Sequence, residues 1–273
     1  MPVNLKAKLV EKKELIPGIF KFSVEAMEIV EKAKPGQFIE IRVNDNTEPF
    51  LRRPISIHNL CKESGKLEFI FQVKGKGTTI LSTKKEGDLI DIIGPLGKGT
   101  FNYESHSNLA IIGGGIGIFP LYELAKNAIT YGKNVNTYLG FRNKDLVVLE
   151  DEFRNVSTNL FLTTDDGSYA NKGFAIDFLK QDIEDGKIDS IFACGPLPML
   201  KAVRKLAIEK NIPCQISLEE NMGCGLGVCL GCAVKTAESP KEAPEYVHVC
   251  KAGPVFEATY VEIWFLFCIL HRK

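Results

Sequence analysis

The run Asn108-Leu109-Ala110-Ile111-Ile112-Gly113-Gly114-Gly115-Ile116-Gly117-Ile118-Phe119-Pro120 divides the chain into two kinds of sequence. A compact apolar run, a glycine turn and a stretch with Leu121, Leu124, Ala125 and Ile129 on one helical face spell strand, tight turn and helix. Downstream, residues 135–140, 159–163 and 190–193 read as buried strands, 174–182 and 199–210 as helices, and 215–218 as a final strand. Buried strands alternating with helices predict a parallel sheet covered by helices.

Upstream the grammar is that of strands alone. Apolar and polar residues alternate over 19–24, 38–43, 54–58, 67–73 and 89–93, separated by turn signals such as Pro17-Gly18 and Pro35-Gly36. This spacing predicts an antiparallel barrel, with a short helix at 78–84. The 273 residues suit about two domains of roughly 150 residues. The expected fold class is β plus α/β: an antiparallel β-barrel (1–102), a parallel-sheet α/β domain (103–215), a small C-terminal unit (216–260) and an apolar tail (261–273).

Composition narrows the partners. With 45% hydrophobic and 25% charged residues the chain reads as an ordinary folded protein. Thirty-four basic and 34 acidic residues cancel, so no electrostatic case exists for nucleic acid or an anionic membrane. The apolar stretch at 264–270 falls short of the about 18 residues that span a bilayer. The first ten residues alternate charged and apolar side chains rather than forming a leader, so a cytoplasmic protein with reduced thiols is expected.

Those thiols are unevenly spread. Cys61, Cys194, Cys214 and Cys268 are scattered, whereas Cys224, Cys229, Cys232 and Cys250 fall within 27 residues. The spacing C-x4-C-x2-C, with a fourth cysteine 18 positions on, is the plant-type pattern of a 2Fe-2S cluster. Three thiolates wrapping a small core from one loop need backbone freedom, and Gly223, Gly225, Gly227 and Gly231 can adopt positive φ and let backbone N–H groups approach the sulfides closely. The alternative is a zinc knuckle, which has two short-spaced pairs; here only Cys229 and Cys232 form one.

Other motifs are less specific. The glycines Gly113, Gly114, Gly115 and Gly117 suit a pyrophosphate at a helix start, or simply a tight turn. They do not form G-x-G-x-x-G, and no acidic residue stands out at the usual ribose position. Arg53-Pro54-Ile55-Ser56 and Gly75-Lys76-Gly77-Thr78 suit a diphosphate but also occur as plain surface features, and Arg52 reads as a solvated charge. Cys194-Gly195-Pro196 ends a strand of the parallel sheet, where ligands bind, although a lone cysteine is more often a small buried hydrophobe.

Taken in order, Arg53 to Ser56, Gly113 to Gly117, Cys194-Gly-Pro-Leu-Pro-Met199 and the four cysteines resemble the ferredoxin-reductase superfamily. Within it, Ser217-Leu218-Glu219-Glu220 and Lys251-Ala252-Gly253-Pro254-Val255-Phe256 resemble the electron transfer subunits of NAD-dependent, type 1B dihydroorotate dehydrogenase. The resemblance spans about residues 3 to 260. It implies FAD in the barrel, held by Arg53, Pro54, Ile55, Ser56, Ile70, Phe71, Gln72, Gly77 and Thr78. It also implies NAD in the α/β domain, with Cys194, Gly195 and Pro196 bordering the nicotinamide, and a 2Fe-2S cluster on Cys224, Cys229, Cys232 and Cys250. The aromatic residue that the superfamily usually carries at the position of Ile55 is missing. NAD rather than NADP rests on the resemblance, since Arg142 suits a 2′-phosphate or plain solvent.

Electron counting leads to the same cofactors. A nicotinamide exchanges two electrons as hydride and a 2Fe-2S cluster exchanges one, so a chain with both needs a converter, and flavin is one. No serine nucleophile or paired-carboxylate constellation is apparent. Nor is there a base suited to dihydroorotate, so the resemblance implies a catalytic partner subunit carrying FMN, in a heterotetramer of two catalytic and two electron transfer subunits. Electrons would pass from that FMN through cluster and FAD to NAD. The rivals are a subunit of an NAD(P)H-dependent ferredoxin or sulfide oxidoreductase, and an iron-sulfur redox sensor or adaptor.

Overall fold

The computed structural model describes residues 1–240 and 242–263, and the apolar run 264–270 lies outside them. Six antiparallel strands close the barrel: β1 (Val3–Ile16), β2 (Ile19–Glu25), β3 (Phe38–Arg42), β4 (Arg53–Cys61), β5 (Lys66–Gln72) and β6 (Leu89–Leu96), in the order β1-β2-β5-β4-β3-β6. Alternation turns Leu9, Phe22, Val24, Ile39, Ile41, Leu67, Phe69 and Ile92 inward, where each is fully buried. Each such side chain contributes about 1.5–3 kcal/mol by leaving water. A short helix α1 (Met27–Val30) adds Ile29 and Val30 to that core.

The helix expected at 78–84 runs two residues earlier, as α2 (Lys76–Ser82). Thr78 closes its first turn instead of opening it, because Thr78 Oγ1 accepts the N–H groups of Lys74 (2.9 Å) and Gly75 (3.2 Å).

The second layer is a sheet of seven strands. It contains β7 (Asn108–Gly114), β8 (Asn134–Phe141), β9 (Asn159–Thr164), β10 (Asn171–Lys172), β11 (Ser190–Cys194) and β12 (Cys214–Ser217), all parallel. Helices α3 (Leu121–Thr130), α4 (Glu150–Asn155), α5 (Ala175–Glu184) and α6 (Leu197–Lys210) cover it. The residues read as the final strand are not the last. After the cysteine segment, which carries a hairpin of β13 (Ala233–Lys235) and β14 (Tyr246–His248) and the turn α7 (Val249–Ala252), the chain returns as β15 (Val255–Glu257). This strand pairs antiparallel with β12, Ile216 opposite Phe256. Three residues are too few to show a period, so it escapes a reading by alternation. Beyond it, Val261 bridges Thr236, and Ile263 is buried in the core that the sheet shares with the cysteine segment.

The strand order β9-β8-β7-β11-β12 reverses direction of growth between β7 and β11. Crevices for ligands form at such a point, outside the carboxyl ends of the strands. Gly113 and Cys194 are paired neighbours there.

Polar contacts lock barrel to sheet. The fully buried His58 of β4 donates from Nδ1 to the Phe119 carbonyl (2.9 Å), stacks on Tyr122 and lies 3.4 Å from Glu152, which also binds Lys21 at 3.0 Å. Glu123, also buried, accepts the Leu60 N–H (2.9 Å) and pairs with Lys126 (2.7 Å). The hydrogen bond from His58, reinforced by Lys21 against the opposing effect of burial, holds the Glu152 carboxyl down at about 2. A depressed carboxyl stabilises the fold above its ordinary range, and that contribution disappears as pH falls through its folded value. Glu152→Gln should therefore cost about 1–2 kcal/mol near neutrality, after allowance for its partial exposure. The difference from wild type should shrink as pH drops from 5 toward 2. Denaturant titrations at a series of pH values check this; a difference independent of pH would count against the network.

Candidate redox site

One cleft of ≈ 240 Å³ is walled by all three parts of the chain. From the barrel come Pro54, Ile55 and Ser56 of β4, Ile70, Phe71 and Gln72 of β5, and Thr78 of α2. The α/β domain adds Ile116, Phe119 and Pro120, and the lead-in to the cysteine loop adds Ser217, Leu218, Glu219, Glu220 and Met222. Ile55 is the branched aliphatic expected there, and the wall's aromatic rings come instead from Phe38, Phe71 and Phe119.

Arg53 stands next to this wall. Its guanidinium lies on Gly77, where an added Cβ would come within 2.3 Å of Nε. The glycine therefore leaves the space that lets an arginine from β4 reach α2, making a cationic cradle suited to a diphosphate. Arg52 differs from its reading as a solvated charge: it pairs with Asp91 at 2.7 Å and is largely covered.

The glycine turn is built differently from the simple strand-to-helix step. A single 3₁₀ turn, Gly115–Ile118, intervenes before α3, whose N-cap is Pro120. Much of its glycine content serves close packing. A Cβ on Gly117 would come within 2.5 Å of Gly195 Cα, and one on Gly114 within 3.0 Å of Pro196. Gly115 is the exception, with φ +54° and nothing within 4 Å of a Cβ position, so its backbone is open to a ligand. The Cys194 side chain is buried, and that burial pushes its thiol well up, leaving the backbone of 194–196 as the part that meets the turn.

At the far end of the same sheet edge, Asp165 and Asp166 follow β9 and bond through their N–H groups to the carbonyls of Phe141 and Arg142. The Ser168 hydroxyl (2.6 Å) and N–H (2.9 Å) hold the Asp166 carboxyl below its usual range. Sequence reading overlooked this acidic turn beside Arg142. It also overlooked Phe38, Lys74, Phe119 and Glu219 in the cleft. The signal for Glu219 was present, because it follows a β12 carboxyl end just as Gly195 follows β11.

The cysteines approach two by two. The Cys229 N–H donates to Cys224 Sγ and the Cys250 N–H to Cys232 Sγ, each at 3.4 Å. Among the described residues no three metal-binding side chains gather round one point. Two pairs suit a two-iron core, in which each iron takes two thiolates. The N–H groups of Leu226, Val228 and Cys229 point at Cys224 Sγ (3.4 Å each), and that of Gly227 at Cys250 Sγ (3.1 Å). Burial opposes ionisation of Cys224, but these N–H groups prevail and bring it down to about 6. Burial and the adjacent Cys232 push Cys250 up to about 12. Only Gly225 (φ +68°) and Gly227 (φ +80°) of the four loop glycines are left-handed. Gly223 and Gly231 instead flank Cys229 Sγ, at 3.2 and 3.6 Å from their Cβ positions, and Leu230 takes the third left-handed turn (φ +62°).

Arg53 on Gly77, the open Gly115 and the N–H groups aimed at sulfur thus fit FAD, NAD and an iron-sulfur cluster respectively. Comparison with known proteins agrees. Residues 6–103 match the oxidoreductase FAD-binding domain, 111–205 the oxidoreductase NAD-binding domain, and 219–262 the iron-sulfur cluster binding domain of dihydroorotate dehydrogenase B. The electron transfer subunit of dihydroorotate dehydrogenase B (NAD(+)) from Lysinibacillus sphaericus is 38% identical over 92% of this chain and 95% of its own length. That from Bacillus cereus is 37% identical over 91% and 94%. Among solved structures, NADH-dependent reduced ferredoxin-NADP oxidoreductase superposes with a TM-score of 0.84 at 33% identity, covering 96% of this chain and 92% of that one. The ferredoxin reductase of carbazole 1,9a-dioxygenase, 20% identical with a TM-score of 0.65, shares the fold over 78% of this chain and 67% of its own. By fold, by cofactor domains and by relatedness along nearly its whole length, the chain belongs to the family of dihydroorotate dehydrogenase B (NAD(+)) electron transfer subunits.

Proposed function

We propose that this chain passes electrons from a catalytic subunit that oxidises dihydroorotate on FMN to NAD+, in a cytoplasmic assembly of two catalytic and two electron transfer subunits. The observation that carries this reading is the shared cleft, since a flavin there would lie between the nucleotide turn and the cysteine loop. When bound, FAD exchanges hydride with a nicotinamide and single electrons with an iron-sulfur cluster, so it joins the two kinds of traffic. The chain's own residues do the positioning. Arg53, beside Gly77, would hold the diphosphate through its Nε and Nη2 donors, and Ser56 and Gln72 would offer polar groups to the cofactor from a cleft that Phe38, Phe71 and Phe119 line with apolar surface. His58 sets the Phe119 carbonyl, and with it the wall of the nucleotide turn, against the flavin strand. A cytoplasmic location suits the free thiols, which need a reducing compartment.

The cluster loop offers the partner a handle. Leu226, Val228 and Leu230 are 48%, 76% and 61% exposed, an apolar knuckle on the segment that must approach an electron donor. Mixing the holoprotein with the FMN subunit, dihydroorotate and NAD+ tests the reading: NADH should accumulate only with both subunits present. Val228→Asp should leave the cluster spectrum unchanged while weakening association at least about tenfold. A second reading, a subunit of an NAD(P)H-dependent ferredoxin oxidoreductase, is favoured by the likeness to the ferredoxin-NADP oxidoreductase structure. Rapid ferredoxin reduction by NADPH, with no turnover of dihydroorotate, would decide for it.

A further inference from the structure

Glu40 is an anomaly in the barrel. It interrupts the apolar strand Phe38–Arg42, is 1% exposed, and neither carboxyl oxygen has a hydrogen-bond partner. A buried carboxyl without partners is costly, and a hydrophobe would suit the position if packing were its only task. Nor is it one half of an ion pair among the described residues: Arg52 turns its guanidinium to Asp91, and Arg53 donates to the Leu51 and Arg52 carbonyls.

Its surroundings give it a use. Glu40 pairs across the sheet with Pro54, and the same strand pair sets Phe38 opposite Ser56, so the carboxyl leaves β3 on the face that looks to the flavin cleft. Its tip meets the cysteine loop. A Cβ on Gly225 would lie 2.5 Å from Glu40 Oε1 and 2.6 Å from its Cγ, so the backbone of the residue after Cys224 rests on the carboxyl group. Gly225 is left-handed (φ +68°), which makes the turn that produces this approach unavailable to most side chains. The carboxyl thus lies between the flavin barrel and the loop that carries the half-buried Cys224 and the exposed Cys229, with acceptor oxygens unspent.

We propose that Glu40 is a positioning residue for the cluster: its carboxyl is the acceptor against which the 224–226 turn settles once iron is bound, fixing the loop on β3 and with it the spacing between cluster and flavin. In either protonation state the group offers an acceptor oxygen to backbone N–H groups. The inference rests on the cluster being held by Cys224, Cys229, Cys232 and Cys250.

The test compares full-length holoprotein carrying Glu40→Met or Glu40→Gln with wild type. Met fills the same space without an acceptor, and Gln keeps one. Two measurements decide, the rate of iron release to an Fe(II) chelator and the EPR spectrum of the reduced cluster; thermal stability and reduction of bound FAD by NADH report on the barrel. Glu40→Met should speed iron release at least about tenfold, the scale of one lost hydrogen bond to a charged group, and shift the EPR signal. It should leave thermal stability equal or higher. Glu40→Gln should stay near wild type in both cluster measurements. Release rates and EPR spectra of Glu40→Met that match wild type would overturn the proposal. So would Glu40→Gln as damaging as Glu40→Met, or a loss of FAD reduction in step with the cluster. Wild type purified without iron would overturn the ligand assignment as well.

Discussion

Cys229→Ser should produce a folded, FAD-containing protein that has lost its iron-sulfur absorbance and no longer supports NAD+ reduction by dihydroorotate in the reconstituted complex. The position favours a clean result. Cys229 is exposed, so the substitution removes a ligand without opening a cavity, whereas Cys232 and Cys250 belong to the core beneath the sheet edge and their loss would also weaken packing. NADH should still bleach the flavin, since the barrel and the nucleotide turn meet across a cleft whose wall includes neither Cys224 nor Cys229. Dihydroorotate-dependent NAD+ reduction at an undiminished rate, with the cluster gone, would remove the cluster from the electron path.

How much of this was readable beforehand depended on the range of the interaction. Alternation along single strands predicted the barrel, because inward and outward faces repeat every second residue and the barrel interior is uniformly apolar. The parallel sheet is legible by a different local signal, the continuous apolar run before Gly113 followed by a helical face, because a strand covered by helices is buried on both sides. The cysteine spacing is also local, apart from Cys250. What escaped was long-range or very short. The strand Val255–Glu257 is only three residues long, and its pairing partner lies some forty positions earlier, at Gln215–Ser217. The cleft wall joins Ser56, Phe119 and Glu219, which no sequence pattern relates. Loop conformation is half legible: a glycine permits positive φ without requiring it, and at Gly223 and Gly231 the missing side chain serves the approach to Cys229 instead. Arg52 looked solvated because its acceptor, Asp91, sits two strands away across the barrel order β4-β3-β6.

The same distinction makes Gly77 the most informative single position for FAD. By helix propensity alone, Gly77→Ala in α2 should stabilise the protein, by up to about 1 kcal/mol. The new Cβ, however, would fall within 2.3–2.7 Å of three atoms of the Arg53 guanidinium. That group is the far end of a flexible side chain, held through Nη1 by the Leu51 and Arg52 carbonyls, and it can turn away at the cost of these surface contacts, but it then leaves the cradle. Gly77→Ala should consequently keep or raise thermal stability of the apoprotein while weakening FAD. Arg53→Ala should weaken FAD by roughly 10- to 150-fold, the value of about 1.5–3 kcal/mol in charge-assisted hydrogen bonds. Because both changes act through one guanidinium, the double variant should bind FAD about as weakly as Arg53→Ala alone, rather than at the product of the two losses. Fluorescence titration of apoprotein with FAD measures all three. Additive losses would mean that Gly77 contacts the cofactor through its own backbone, and undiminished affinity in Gly77→Ala would move the diphosphate away from Arg53 altogether.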